Sequence, residues 1–491
     1  MIFGLFKKQE YADIVYKGGR IYTLDADAPW AEAVACKDGR IMAVGDDRLM
    51  SELTGEDTEV VDLEGGTLLP GFIDICGHPV LQAFQKVCLI LYEDMPRDMV
   101  LSALAEYVND NPGYSGYFAY GFNTDYVAGK KEEELWKALD EICNHKPIAM
   151  LDISGLNGWF NTKAMELVRA AIAEETEPKI ITIAYVLHVL SPIDFESLQR
   201  SVVELAGEYC KRGYTTVFDC GSPDFLHAIY QEMIVEMLQT DMLKQRLKGS
   251  FLITNNISPE YVVKKMAQKS DSCGEISEYI DCCFLKLIAH SDTNENAAAM
   301  NDDLLKILAI MASDKGFDFH IDAIGEKAVT SAFNAAFTAR AAGYKKSTFI
   351  IAHSQNLNQE EKTELLLDND LHETFSTLGD FNQKYRSTEY AKNVKDAIDK
   401  LTLDAAVLLG ISDDYGSVES GKRADFVVYD ENLLDCNLPR FRGLDSRMTI
   451  IDGEIVYDAA RDIPSIWHTK LKERVQEMQE QMALDDEEEY Y

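Results

Sequence analysis

Positive charge is what this 491-residue sequence has least of: 47 lysines and arginines stand against 84 aspartates and glutamates, a formal charge of −37 with histidine neutral. So acidic a chain repels phosphate backbones and anionic lipid, which argues against nucleic acid or a membrane surface as its main partner. Long apolar runs are missing too. No stretch approaches the ~20 residues of a membrane span, and MIFGLFKKQEYAD has no signal-peptide core before Lys7 and Lys8. The expectation is a soluble, cytoplasmic protein. Nor is there the dense cysteine spacing of a disulfide scaffold: the ten cysteines are scattered from Cys36 to Cys436 and are expected to be reduced, mostly buried small hydrophobes. What is present is core-forming material, 46% hydrophobic and 10% aromatic, which excludes a disordered acidic polymer. The length predicts two or three domains, one of which can be a barrel taking more than half of the chain.

Turn residues divide both ends into short strands. From Ala12 to Leu69 the stretches ADIVYKGGRIYTLD, AEAVACKDGRIMAVG and TEVVDLEGGTLLP place Gly18-Gly19 and Asp38-Gly39 where tight hairpins want positive φ. ADFVVYD (424–430) and MTIIDGEIVYD (448–458), with Asp452-Gly453, repeat that texture. Sheets of two or three strands are marginal alone, so residues 1–69 and 412–460 are expected to build one small β-sandwich from both ends.

Residues 70–411 read differently, as strands alternating with helices. One helix starts after Ser191-Pro192, with Leu198, Val202, Leu205 and Tyr209 inward, and Gly213 ends it before the strand YTTVFD (214–219). Asn301 caps another, with Leu304, Leu308 and Met311 inward and Gly316 as its stop, before FDFHIDAIG (317–325); a third around 326–342 precedes STFIIAH (347–353). Such units predict a parallel sheet covered on both sides, an α/β fold of the (β/α)8 TIM-barrel type. Residues 79–190 break the repeat and are expected to form a lid or subdomain over the barrel mouth. In residues 461–491, Trp467, Leu471, Val475, Met478 and Met482 fall at helical spacing before DDEEEYY, predicting a helical, acidic tail that docks or seeks a partner.

The chemistry gathers at strand ends. In PGFIDICGH (70–78), Cys76 and His78 are two apart and would share a face at the carboxyl end of the first barrel strand, where barrel active sites lie. Lys286 and His290 share a face in CCFLKLIAH; His320 and Asp322 share one in FDFHID, opposite Phe317, Phe319 and Ile321; and His353 closes STFIIAH. Side by side in a barrel, these side chains point to one mouth and can hold one or two divalent cations, zinc by ligand type, that acidify water. The bland alternative is a polar barrel core of mutually hydrogen-bonded His, Lys and Asp.

These motifs resemble the amidohydrolase superfamily, specifically its amidohydrolase-3 or YtcJ-like branch, over most of the chain. ADIVYKGGRIYTLD and AEAVACKDGRIMAVG are similar to that branch's N-terminal strands, and VVDLEGGTLLPGFID leads into its metal strand. LDISGLNGWFNTKAM (151–165) resembles a motif of the lid, DAIGEKAV (322–329) the fifth strand, IIAHSQ the sixth, and GSVESGKRADFVVYD the return to the sandwich. The resemblance implies a metal held by Cys76, His78, His353 and Lys286 as its carbamate.

The departures from the family pattern are as informative. Cys76 stands for the first His of His-x-His, His290 for an acidic residue, Asp322 for the fifth-strand histidine with His320 as its stand-in, and Leu156 for a lid histidine. HETFSTLGDF (372–381) resembles the seventh strand, but YAKNVKDAIDKLTLDAAVLLG then leads almost directly to the sandwich, so the barrel is expected to be incomplete at its last strand and to lack that strand's catalytic Asp. Asp380 would replace it if FSTLGDF filled the eighth position.

The expected function is metal-dependent hydrolysis of an amide, cyclic amide, carbamate or ester bond in a small molecule, with Asp322 and His320 as catalytic groups and His290 and Asp380 as possible substitutes. The alternative is a catalytically eroded relative serving as a small-molecule binder or assembly subunit. The acidic tail and the gap in the barrel wall point to a homo-oligomer, with a partner covering the open strand edge.

Overall fold

The computed structural model describes residues 10–152, 157–174, 183–190, 192–193, 195–221, 230, 233–234, 237, 243–253, 258–264, 266–267, 279–289, 299–352, 372–374 and 391–461. They divide into two compact units, one of Met1–Gly77, Ala206–Cys220 and Val235–Tyr491, the other of His78–Leu205 and Gly221–Ile234. No helix among the described residues is long and apolar enough to cross a membrane.

The first unit holds a sandwich and an incomplete barrel. One sandwich sheet orders its strands Arg40–Gly45, Ala33–Lys37, Ile14–Lys17, Glu59–Asp62. The other runs Glu454–Asp458, Met448–Ile451, Phe426–Tyr429, Thr67–Pro70, Arg20–Tyr22, Trp30–Ala31. Both chain ends therefore share one core, in which Tyr16, Val34, Leu68, Phe426 and Ile450 are fully buried. Asp38 (φ 50°) with Gly39 (φ 73°), and Asp452 (φ 52°) with Gly453 (φ 78°), form two-residue hairpin turns whose positive φ matches the strand twist. Gly18 also has positive φ, 76°, but Gly18-Gly19 is no hairpin: the strands on either side lie in different sheets, and the pair turns the chain from one to the other.

Gly71 alone separates sandwich strand Thr67–Pro70 from the first barrel strand. A Cβ there would strike the Thr215 side chain, which is why PGF carries glycine at this step. The barrel strands are β1 (Phe72–Gly77), β2 (Tyr214–Asp219), β3 (Arg246–Leu252), β4 (Ile280–Ile288), β5 (Asp318–Asp322), β6 (Phe349–Ala352) and β7 (His372–Thr374), all parallel and adjacent in that order. β2 and β6 are buried along their whole length, as strands covered on both faces must be. Pairing of Ile350 with His372 puts β7 in the seventh position; FSTLGDF (375–381) lies outside the described residues.

No eighth strand occurs among the described residues. Instead α-helices Val394–Leu401 and Leu403–Leu408 follow, and Ala405, Ala406 and Leu408 share one core cluster with Ile73, Phe218, Phe284 and Ile350 of the barrel.

Helix Phe195–Lys211 buries Leu198, Val202, Leu205 and Tyr209. In helix Asp302–Ser313, Asn301 Oδ1 accepts from the Leu304 amide at 3.0 Å, but the buried stripe is Leu305, Leu308, Ala309 and Ala312. Leu304 and Met311 are only half-buried, a rotation of about one residue from the expected face. Both stripes are apolar, so periodicity alone cannot choose between them.

The second unit has its own sheet, ordered Gly158–Phe160, Ile148–Asp152, Tyr117–Phe122, Leu89–Ile90, and its own core of Val100, Leu104, Phe122, Ile148, Met150 and Trp159. Phe122 and Trp159 meet edge to face at 5.8 Å, and Trp159 Nε1 donates to the Leu135 carbonyl at 2.8 Å; both are packing residues.

Candidate functional site

β4 and β5 pair with Lys286 opposite His320 and Ile288 opposite Asp322, which sets Lys286, His320 and Asp322 on one face of the sheet. Lys286 Nζ donates to Asp322 Oδ1 at 2.6 Å and lies 2.8 Å from His320 Nδ1. An ammonium can only donate, so Nδ1 is the acceptor and the neutral ring carries its proton on Nε2. Lys286 is 4% and His320 0% exposed, whereas the Asp322 side chain is 18% exposed, the most open of the three. Phe218 stacks obliquely on His320 at 5.7 Å and edge-on against Phe284 at 4.9 Å, giving the trio an apolar floor. A buried ion pair so placed is strongly coupled, because little water screens it.

His78 does not extend the strand that carries Cys76. β1 ends at Gly77, its pairing with β2 shifts register near the tip, and His78 is the residue at which helix Pro79–Gln85 begins. Its Nδ1 lies 3.2 Å from the Gly221 carbonyl oxygen. A carbonyl only accepts, so Nδ1 is protonated and the ring's lone pair is on Nε2, the arrangement in which backbone orients a metal-binding histidine.

The structure thus brings Lys286, His320 and Asp322 together, and places His78 in the second unit. The side chain of Cys76, and His290, His353 and Asp380, lie outside the described residues, as do Leu156 and the tail from residue 462. Among the described residues no three His, Cys, Asp or Glu side chains are grouped to hold a metal ion.

Two further buried polar centres lie outside the candidate residues read from the sequence. Arg246 of β3 forms a forked pair with Asp425 (3.0 and 3.1 Å), bonds Asp452 at 2.5 Å, and stacks on Tyr279 and Tyr415. Burial by itself lowers the pKa of the guanidinium, but the charge and hydrogen bonds of Asp425, with Tyr415 and Asp452, outweigh that and hold it above its usual value. In the second unit Asn161 is fully buried. Its Oδ1 accepts from the amides of Ile148 and Ala164, and its Nδ2 donates to the carbonyls of Cys143 and Lys146. Arg246 joins residues 179 and 206 positions away, a separation no motif spans. For Asn161, the resemblance of 151–165 to a lid motif was the available signal.

The chain matches the model of the Amidohydrolase family over residues 59–366 and 369–457, and it belongs to that family. It is 33% identical over 168 residues to the exoenzymes regulatory protein AepA of Pectobacterium carotovorum, covering 33% of this chain and 36% of that protein. It is 27% identical over 158 residues to the N-substituted formamide deformylase of Arthrobacter pascens, covering 32% of this chain and 29% of the relative. The chain therefore spans about a third of the length of these two curated relatives. Among solved structures, an uncharacterized metal-dependent hydrolase from Pyrococcus horikoshii OT3 superposes with a TM-score of 0.56 at 17% identity, covering 88% of this chain and 99% of that one. That likeness is one of fold.

Proposed function

We propose that the protein is a metal-dependent hydrolase that cleaves a carbon–nitrogen bond, in an amide, cyclic amide or carbamate, or an ester bond, of a small molecule. Family membership supports the reaction class; the name of one relative, an N-substituted formamide deformylase, supports the bond type, and that of a fold neighbour, a metal-dependent hydrolase, is consistent with an ion. The observation that carries the reading is His78. With Nδ1 directed at the Gly221 carbonyl, its Nε2 lone pair suits a divalent transition ion, zinc by ligand type. Cys76 and His353 would complete the donor set. Such an ion, when bound, lowers the pKa of water and polarises a carbonyl.

The remaining work falls to side chains of the barrel. Asp322, the trio member most open to solvent, takes the proton from water and returns it to the leaving nitrogen or oxygen. His320, with Nδ1 facing Lys286, is fixed as an Nε2–H donor and not as a base, so its part is to hydrogen-bond developing negative charge. Lys286 positions both.

Elemental analysis together with a panel of N-formyl amines, cyclic amides, carbamates and esters tests this. The expected result is a bound transition metal, hydrolysis of at least one class, loss with chelator and in His78→Ala, and recovery of the wild type with zinc. Metal below about a tenth of an equivalent after growth with added zinc would sink the proposal.

A further inference from the structure

We propose that the Lys286 ammonium takes the place of a metal ion at the fifth barrel strand, so that the site holds no lysine carbamate and at most one divalent cation. The proposed hydrolase enters this inference only through that one remaining ion. His320 Nδ1 and Asp322 Oδ1 lie 3.9 Å apart and converge on a single point, one nitrogen and one oxygen donor of the kind a divalent transition ion recruits. Lys286 Nζ occupies that point, 2.8 Å from the nitrogen and 2.6 Å from the oxygen.

Two chemical consequences follow. An ammonium has three N–H groups and serves both acceptors, whereas carboxylation forms an N–C bond to carbon dioxide, releases protons and leaves a nitrogen with one N–H. One of the two acceptors would then lose its bond from Lys286, and a new anion would stand beside the Asp322 carboxylate. Charge gives the second consequence. Ammonium, carboxylate and neutral imidazole sum to zero, so the trio offers no net negative charge to balance a second divalent ion, and the ammonium repels one.

The full-length protein, incubated with 13C-bicarbonate and zinc, tests this by carbon NMR and elemental analysis. The expected wild-type result is no carbamate resonance, with zinc not above about one equivalent and unchanged by bicarbonate. Lys286→Met removes the charge at similar volume and is expected to take up about one more equivalent of zinc than the wild type, since both donors are then open to metal. A carbamate resonance, bicarbonate-dependent zinc uptake, or a folded Lys286→Met protein whose zinc content fails to rise would each overturn the proposal. If Lys286→Met does not fold, the wild-type resonance decides alone. A wild type without metal ends the hydrolase reading yet leaves this one standing wherever Lys286→Met gains zinc, so the two can fail separately.

Discussion

Arg246 and Asp425, 179 positions apart, meet through two parallel hydrogen bonds of 3.0 and 3.1 Å, with both side chains 5% exposed. One belongs to barrel strand β3 and the other immediately precedes sandwich strand Phe426–Tyr429. Arg246→Met leaves Asp425 buried beside Asp452 without its cation. The expected cost is about 3–5 kcal/mol, read as a lower urea midpoint. A loss below about 1 kcal/mol would show that water or Arg423 takes over the pairing.

Asn161→Ala removes a side chain whose four hydrogen bonds tie residues 143–148 to the start of helix Thr162–Glu174. Each buried group left unsatisfied costs about 1–3 kcal/mol. Amide exchange at Ile148 and Ala164 is expected to accelerate about tenfold or more, with little change in the sandwich. Equal acceleration in both units would contradict a local role.

Asp322→Asn keeps the shape of the side chain and removes its capacity to take a proton. On whichever substrate the panel reveals, kcat/KM is expected to fall about 10²–10⁴-fold while protein yield holds. A loss smaller than about tenfold would assign the base elsewhere.

Burial pushes the thiols of Cys36, Cys88 and Cys210 far above their ordinary value of 9.0, with Asp13 adding to the shift at Cys36 and Asp425 at Cys210. The folded chain therefore keeps these protons while the unfolded chain releases them. Their contribution to stability is complete below pH 9.0 and declines as pH rises through the alkaline range. Native protein treated with iodoacetamide at pH 8 is expected to leave all three unlabelled, with full labelling in urea. Rapid labelling of any of the three in native protein would mean that its burial is transient.

Much of the architecture was legible along the chain. Helix Phe195–Lys211 and the turns at Asp38-Gly39 and Asp452-Gly453 follow from local periodicity and positive φ, which depend on a residue and its near neighbours. Gly18-Gly19 shows the limit: the same local signal marks a hairpin or a passage between sheets, and only strand pairing distinguishes them. His78 shows another, since alternation assumes that β1 continues, while His78 leaves the strand after Gly77 and caps the helix that starts at Pro79.

By itself the sequence determined that parallel strands alternate with helices between two β-rich ends, and that His320 and Asp322 face the same way. Only the tertiary structure decided that Lys286 sits between them, because that depends on the register of β4 against β5 and joins residues 34 and 36 positions apart. Face alternation is a property of one strand's backbone; the partner a long cation finds is a property of which strands lie side by side and at what height.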